Sequence, residues 1–130
     1  MPTFVFNKLI RDKLRQEYVK LQQQAIYKEL TESELLEALR QKIIEEANEI
    51  PVNGSKEAIT SELADIQQVI DDIALKSGIT KQEIASVKQK KFEKKGGFKE
   101  GLFVEKIILS DDDEWNEYYR QDPEKYKEIV

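Results

Sequence analysis

Apolar residues recur every three or four positions through most of the chain, and that spacing predicts helices. Leu9, Ile10, Leu14, Val19 and Leu21 mark a first helix from Asn7 to about Gln24. Thr31-Glu-Ser-Glu34 has the form of a capping box, so a second helix starts there. Leu36, Leu39, Ile43 and Ile50 occupy its a and d positions, and Pro51 ends it. Ser55 caps a third helix that runs to Ser77, with Gly78 as its stop. Its apolar stripe is Ile59, Leu63, Ile66, Ile70 and Ile73. A second capping box, Thr80-Lys-Gln-Glu83, opens a fourth helix that ends at Gly96-Gly97.

The pattern then changes. Gly101 to Leu109 is apolar and β-branched and predicts a short strand, paired with Thr3 to Phe6 or with Ala25 to Leu30. Asp111 to Glu114 suit a helix N-terminus. Trp115, Tyr118 and Tyr119 follow on one face, with Tyr126 beyond, and such a segment should dock on the body or on another subunit. The expected fold is all-α: a four-helix-type bundle with a minor β element and a C-terminal helix. Residues 1–130 form one domain, with a catalytic body over 1–109 and a helical appendage over 110–130.

One position breaks the apolar seam. Glu46 takes the d position after Ile43, where a carboxylate is costly unless paired or metal-bound. Glu49 lies three residues on, and Glu62 and Asp65 repeat the same spacing in the third helix. Residues three apart share a helix face. Twelve residues, Ile50 to Ser61, separate the pairs, and Pro51, Asn53, Gly54 and Ser55 make a turn among them. A helical hairpin would therefore bring four carboxylates together. Such a group cannot stay fully ionised without a cation. All-oxygen ligands favour Mg²⁺, with Mn²⁺ as a substitute.

Composition narrows the chemistry. The chain has neither histidine nor cysteine, which removes Ser-His and Cys-His catalysis, histidine metal sites and disulfides. Chemistry must run on carboxylates, Lys, Arg, Tyr, Ser, Thr and bound metal. The net charge of −5 argues against general nucleic-acid binding. No run of about 18 apolar residues predicts a membrane span, and the start lacks the apolar core of a signal peptide, which fits a cytoplasmic protein. Cations gather in two places. Lys8, Arg11 and Lys13 lie in NKLIRDK, where Lys8 and Arg11 would share a helix face as an anion clamp. Lys94 and Lys95 precede Gly96-Gly97, whose backbone amides could approach a phosphate closely.

These residues resemble the all-α nucleoside triphosphate pyrophosphohydrolases, the MazG-like superfamily that also includes phosphoribosyl-ATP pyrophosphohydrolase. The pattern Glu-Glu-x-x-Glu, gap, Glu-x-x-Asp reads here as Glu45-Glu46-Ala-Asn-Glu49, twelve residues, Glu62-Leu-Ala-Asp65. Asp72 stands seven residues after Asp65, where many members carry Asn or Asp. NKLIRDK and the Lys-Lys-Gly-Gly-Phe-x-x-Gly segment look like one subgroup, so the likeness covers about residues 3 to 108.

The resemblance implies that Glu46, Glu49, Glu62 and Asp65 hold Mg²⁺. Asp72 would be a further ligand or lie just behind them, and Glu45 would orient or deprotonate the attacking water. Lys8, Arg11, Lys13, Lys94 and Lys95 would hold the outer phosphates. The reaction would convert a nucleoside triphosphate into a monophosphate and pyrophosphate. Phosphoribosyl-ATP hydrolysis shares that metal site. A non-catalytic helical interaction module is the rival from another class. The base is unassigned, with Phe98, Phe103 and Tyr18 as candidate contacts. Amphipathic helices too apolar for one thin layer, together with the resemblance, imply a homodimer or higher homo-oligomer.

Overall fold

Thr31 and Ser55 decide where the two long helices begin. The computed structural model describes all 130 residues, Met1–Val130. It contains five helices and no strand: α1 (Leu14–Lys20), α2 (Glu32–Asn48), α3 (Lys56–Lys76), α4 (Lys81–Lys95) and α5 (Trp115–Arg120). The Thr31 hydroxyl accepts from the Glu34 amide at 3.2 Å, and the Glu34 carboxylate accepts from the Thr31 amide at 3.0 Å. Ser55 Oγ accepts from the Ala58 amide at 3.1 Å. Thr80 and Glu83 close the same reciprocal box before α4, both bonds at 3.1 Å. Gly78 and Gly96 follow their helices at φ +68° and +77°, the left-handed conformation that glycine adopts without a Cβ penalty.

The chain divides into two compact units, Met1–Glu93 and Lys94–Val130. In the first unit, α2 and α3 pack side by side as an antiparallel hairpin. The turn between them is tight: the Gly54 amide bonds the Pro51 carbonyl at 3.1 Å, and a Cβ at Gly54 would strike the Pro51 ring. The buried apolar residues are Leu39 from α2 with Val69 and Ala74 from α3. Glu46 is buried among them, as its seam position requires. The stripe expected on α3 is met in part. Ile59, Ile66 and Ile73 are half-buried in line with Glu62 and Val69, whereas Leu63 and Ile70 are exposed. α3 thus carries two apolar stripes and uses one of them for α2. α4 buries no residue, so within one chain the helices form a packed pair rather than a closed four-helix bundle.

Two further expectations change. The first helix is only Leu14–Lys20, because Asn7 (φ +46°) and Gln22 (φ +57°) turn the chain on either side of it. Lys8, Arg11 and Lys13 precede or cap it, where cations oppose the helix dipole and no side chain caps Lys13. The minor β element is absent. Thr3 to Phe6, Ala25 to Leu30 and Gly101 to Leu109 all lack regular structure. An apolar β-branched run makes no strand without a neighbouring backbone to complete the ladder.

In the second unit, Asp113 Oδ1 accepts from the Trp115 amide at 2.8 Å and starts α5. Trp115, Tyr118, Tyr119 and Tyr126 then stack on one another, with Trp115–Tyr118 edge-to-face at 5.2 Å and Tyr119–Tyr126 at 4.8 Å. A forked Arg120–Glu128 ion pair at 2.9 and 3.0 Å closes the turn behind them.

The chain as a whole exposes 12,650 Å². A globular monomer of this mass exposes about 7,100 Å², and two separate globules of these lengths about 8,400 Å². Ile44, Leu63, Ile70, Val87 and Phe92 all stand more than a third exposed in the first unit. No helix is long and apolar enough to cross a membrane.

Candidate metal centre

The hairpin turns sequence spacing into geometry. Glu46 and Glu49 sit at the C-terminal end of α2, Glu49 as its capping residue. Glu62 lies two turns into α3, which runs back past them. Carboxylate oxygens of Glu46, Glu49 and Glu62 all lie within 4.8 Å of one another. Glu46 is 9% exposed, Glu62 is half-buried, and Glu49 is open to solvent. Oε2 of Glu46 and Oε2 of Glu62 are buried and have no hydrogen-bond partner. A buried carboxylate oxygen left unpaired is costly, and a cation held between these two atoms could offset that cost.

Electrostatics agree. Burial pushes the Glu46 carboxyl up from its ordinary range; the facing Glu62 carboxyl and the Asp65 charge add to the effect, and Lys42 opposes it. Glu45 moves the other way. Its hydrogen bond from Lys42 holds it down, with smaller help from the Lys42 and Lys8 charges. Five acids (Glu45, Glu46, Glu49, Glu62, Asp65) face three cations (Lys8, Arg11, Lys42) here. The donor set, all carboxylate with two orphaned oxygens, fits a hard ion such as Mg²⁺.

Asp65 takes a different place from the trio. Its Oδ1 accepts from Arg11 Nη2 at 2.7 Å. It lines a cavity of about 510 Å³ together with Glu46, Asp72 and Arg11. Leu9, Ile10, Leu39 and Val69 give that cavity apolar walls. Asp72 Oδ2 accepts from Gln68 Nε2 at 3.4 Å, one helical turn away. Lys8 reaches Glu45 Oε1 at 3.6 Å. Lys8 and Arg11 thus pair with acids of the cluster from a non-helical segment, where an anion clamp on one helix face was expected.

Lys13 caps α1 and is exposed. Lys94, Lys95, Gly96 and Gly97 begin the second unit and are exposed. Phe98 and Phe103 belong to that unit and stand 99% and 88% exposed, whereas Tyr18 is half-buried in the first.

Lys42 was not among the expected site residues. Its ammonium bonds Glu45 Oε2 at 3.1 Å and lies 3.8 Å from Glu46 Oε1, with its side chain mostly buried. The signal was present: Lys42 precedes Glu45 by three and Glu46 by four, the spacings at which helical side chains meet. Gln68, four before Asp72, was missed in the same way.

The chain matches no family model, no curated protein and no solved structure.

Proposed function

We propose that this protein is an Mg²⁺-dependent nucleoside triphosphate pyrophosphohydrolase. The observation that carries the reading is the buried Glu46 carboxylate, its Oε2 unpartnered, facing Glu62 and Glu49 across the hairpin, with Lys8 and Arg11 at the rim. An interaction surface has no use for a carboxylate buried in its apolar seam.

Glu46, Glu49, Glu62 and Asp65 would hold the ion, with Asp72, two turns along α3 from Asp65, as a further ligand or just behind them. Mg²⁺ there would supply Lewis acidity toward phosphate oxygens and make a nearby water more acidic. The protein's own groups do the rest. Glu45, kept ionised by Lys42 and Lys8, orients the attacking water and accepts its proton. A new bond forms from the water oxygen to phosphorus, and the α–β anhydride bond breaks. The products are a nucleoside monophosphate and pyrophosphate. Lys8, Arg11 and Lys13 neutralise the departing phosphates. The 510 Å³ cavity beside Asp65 and Asp72 has the size and apolar lining that a nucleoside needs.

We also propose that a second copy covers the outward apolar stripes of the first unit. Leu63 and Ile70 repeat at heptad spacing and are left over after α2 and α3 have packed. Sedimentation at micromolar concentration should show a dimer or larger species, and a stable monomer would contradict this.

The activity test is a panel of nucleoside triphosphates with Mg²⁺, resolved by phosphorus NMR. The reading requires monophosphate and pyrophosphate. Diphosphate and orthophosphate, or no turnover across the panel, would overturn it.

A further inference from the structure

The sequence segment NKLIRDK does more than supply loose cations. Asn7, at φ +46°, turns the chain toward the hairpin. Leu9 and Ile10 are half-buried and form part of the cavity wall. From the same turn, Lys8 points to Glu45 and Arg11 to Asp65, at 3.6 and 2.7 Å. The segment is pinned to the cluster by its charges and to the cavity by its apolar pair.

The pairing is selective. Arg11 takes Asp65, the one acid of the Glu-x-x-Asp pair that stands apart from the Glu46–Glu49–Glu62 trio. The orphaned oxygens of Glu46 and Glu62 remain unanswered, although Glu46 is more than nine-tenths buried. Completing a cation site around those oxygens would draw in Asp65, the next carboxylate along the α3 face. Asp65 lies outside the trio while its Oδ1 holds Arg11, so turning that carboxylate toward a shared ion would loosen its bond to the guanidinium. The Arg11 side chain is 60% exposed and Asp65 34%, so the pair is of the weak, solvated kind.

We infer that Arg11 and a divalent ion are alternative partners of Asp65, and that Arg11, once displaced, turns to the phosphates of the incoming nucleotide. The inference rests on the metal-site reading above and adds an order to it: ion first, then phosphate. Arg11 is then a positioning residue whose two partners are acid and substrate. Lys8 on Glu45 is the smaller companion, because its 3.6 Å approach is longer.

The signature is opposite signs on two ligands. Mn²⁺ is titrated calorimetrically into the full-length protein, Arg11→Gln and Lys20→Gln. Lys20 pairs with Glu17 on α1, so its variant removes one charge without touching the cluster. Arg11→Gln should bind Mn²⁺ about threefold to fivefold more tightly than Lys20→Gln, the range an exposed ion pair can impose. In saturating Mg²⁺, the same Arg11→Gln protein should bind inorganic tripolyphosphate more weakly than wild type. Side-chain NMR gives an independent readout. The Arg11 Nε–H resonance should shift when Mg²⁺ is added to wild type, before any phosphate is present. Equal Mn²⁺ affinity in the two variants, or an unmoved Arg11 resonance at saturating Mg²⁺, overturns the exchange while leaving the metal site standing. Absence of any saturable Mn²⁺ site in wild type overturns both.

Discussion

The α2–α3 hairpin and the Asn7–Lys13 segment both deliver charged groups to the same few ångströms, and they do so in unlike ways. In the hairpin, caps fix where each helix starts and a tight turn fixes the register between them. Positions three or four apart in sequence then become neighbours in space automatically. In the N-terminal segment no regular backbone sets the spacing. Lys8 and Arg11 reach the site because carboxylates are there to receive them. The hairpin is a frame set by its own backbone; the segment is a cover held by what it touches.

The sharpest way to break this comparison is to change the frame's chemistry and leave its shape alone. Glu49→Gln removes one ligand charge at an exposed helix end. Turnover should fall by roughly 100-fold or more. Metal affinity should fall with it, and helix content should be unaltered by circular dichroism. Full activity in this variant would end the metal-site assignment.

The next largest effect is on packing. Leu39→Ala opens a hole in the buried seam and should cost about 2–3 kcal/mol in urea denaturation. Leu63→Ala is the matched exposed change. It should cost under about 0.5 kcal/mol within the chain, as surface changes do, and should instead weaken self-association on dilution. Equal losses of fold stability at both positions would show that the outward stripe is part of the monomer's core.

These two leucines also show how far the sequence carried. Capping boxes, the Gly78 and Gly96 stops and the intrusion of Glu46 into the seam were all legible, because each is a local rule with a local cause. The choice between the two stripes of α3 was not. Ile59, Leu63, Ile66 and Ile70 look alike as letters, and only the hairpin's register decides that Val69 goes in and Leu63 stays out. The long first helix and the strand failed for a related reason. Both needed tertiary partners that periodicity cannot report, and the positive φ at Asn7 and Gln22 has no strong signal in an Asn and a Gln.

The smallest effect sharpens the frame itself. Thr31→Ala breaks the α2 capping box and should cost about 1 kcal/mol. The box also has a pH signature. Glu34 is held down to about 2, first by the Thr31 backbone amide and then by the bond from Lys28. Its pKa is depressed in the fold, so its contribution is present above the ordinary value of 4.5. It fades as pH falls from about 4.5 toward about 2. Glu34→Gln should therefore flatten the acid limb of the stability profile over that window. An unchanged acid limb would assign the lost stability to other carboxylates.

The most direct test of the central claim is the melting temperature of wild type and Glu46→Gln, each with and without Mn²⁺. A ligand that binds only the folded state stabilises it by about 2.7 kcal/mol at a hundred times its Kd. Wild type should melt several degrees higher with Mn²⁺. Glu46→Gln, relieved of a buried and unpaired carboxylate, should melt at or above wild type without Mn²⁺ and gain nothing from the ion. If Mn²⁺ leaves the wild-type melt unmoved, or if Glu46→Gln responds to it as fully as wild type does, the carboxylate cluster is not a divalent-cation site.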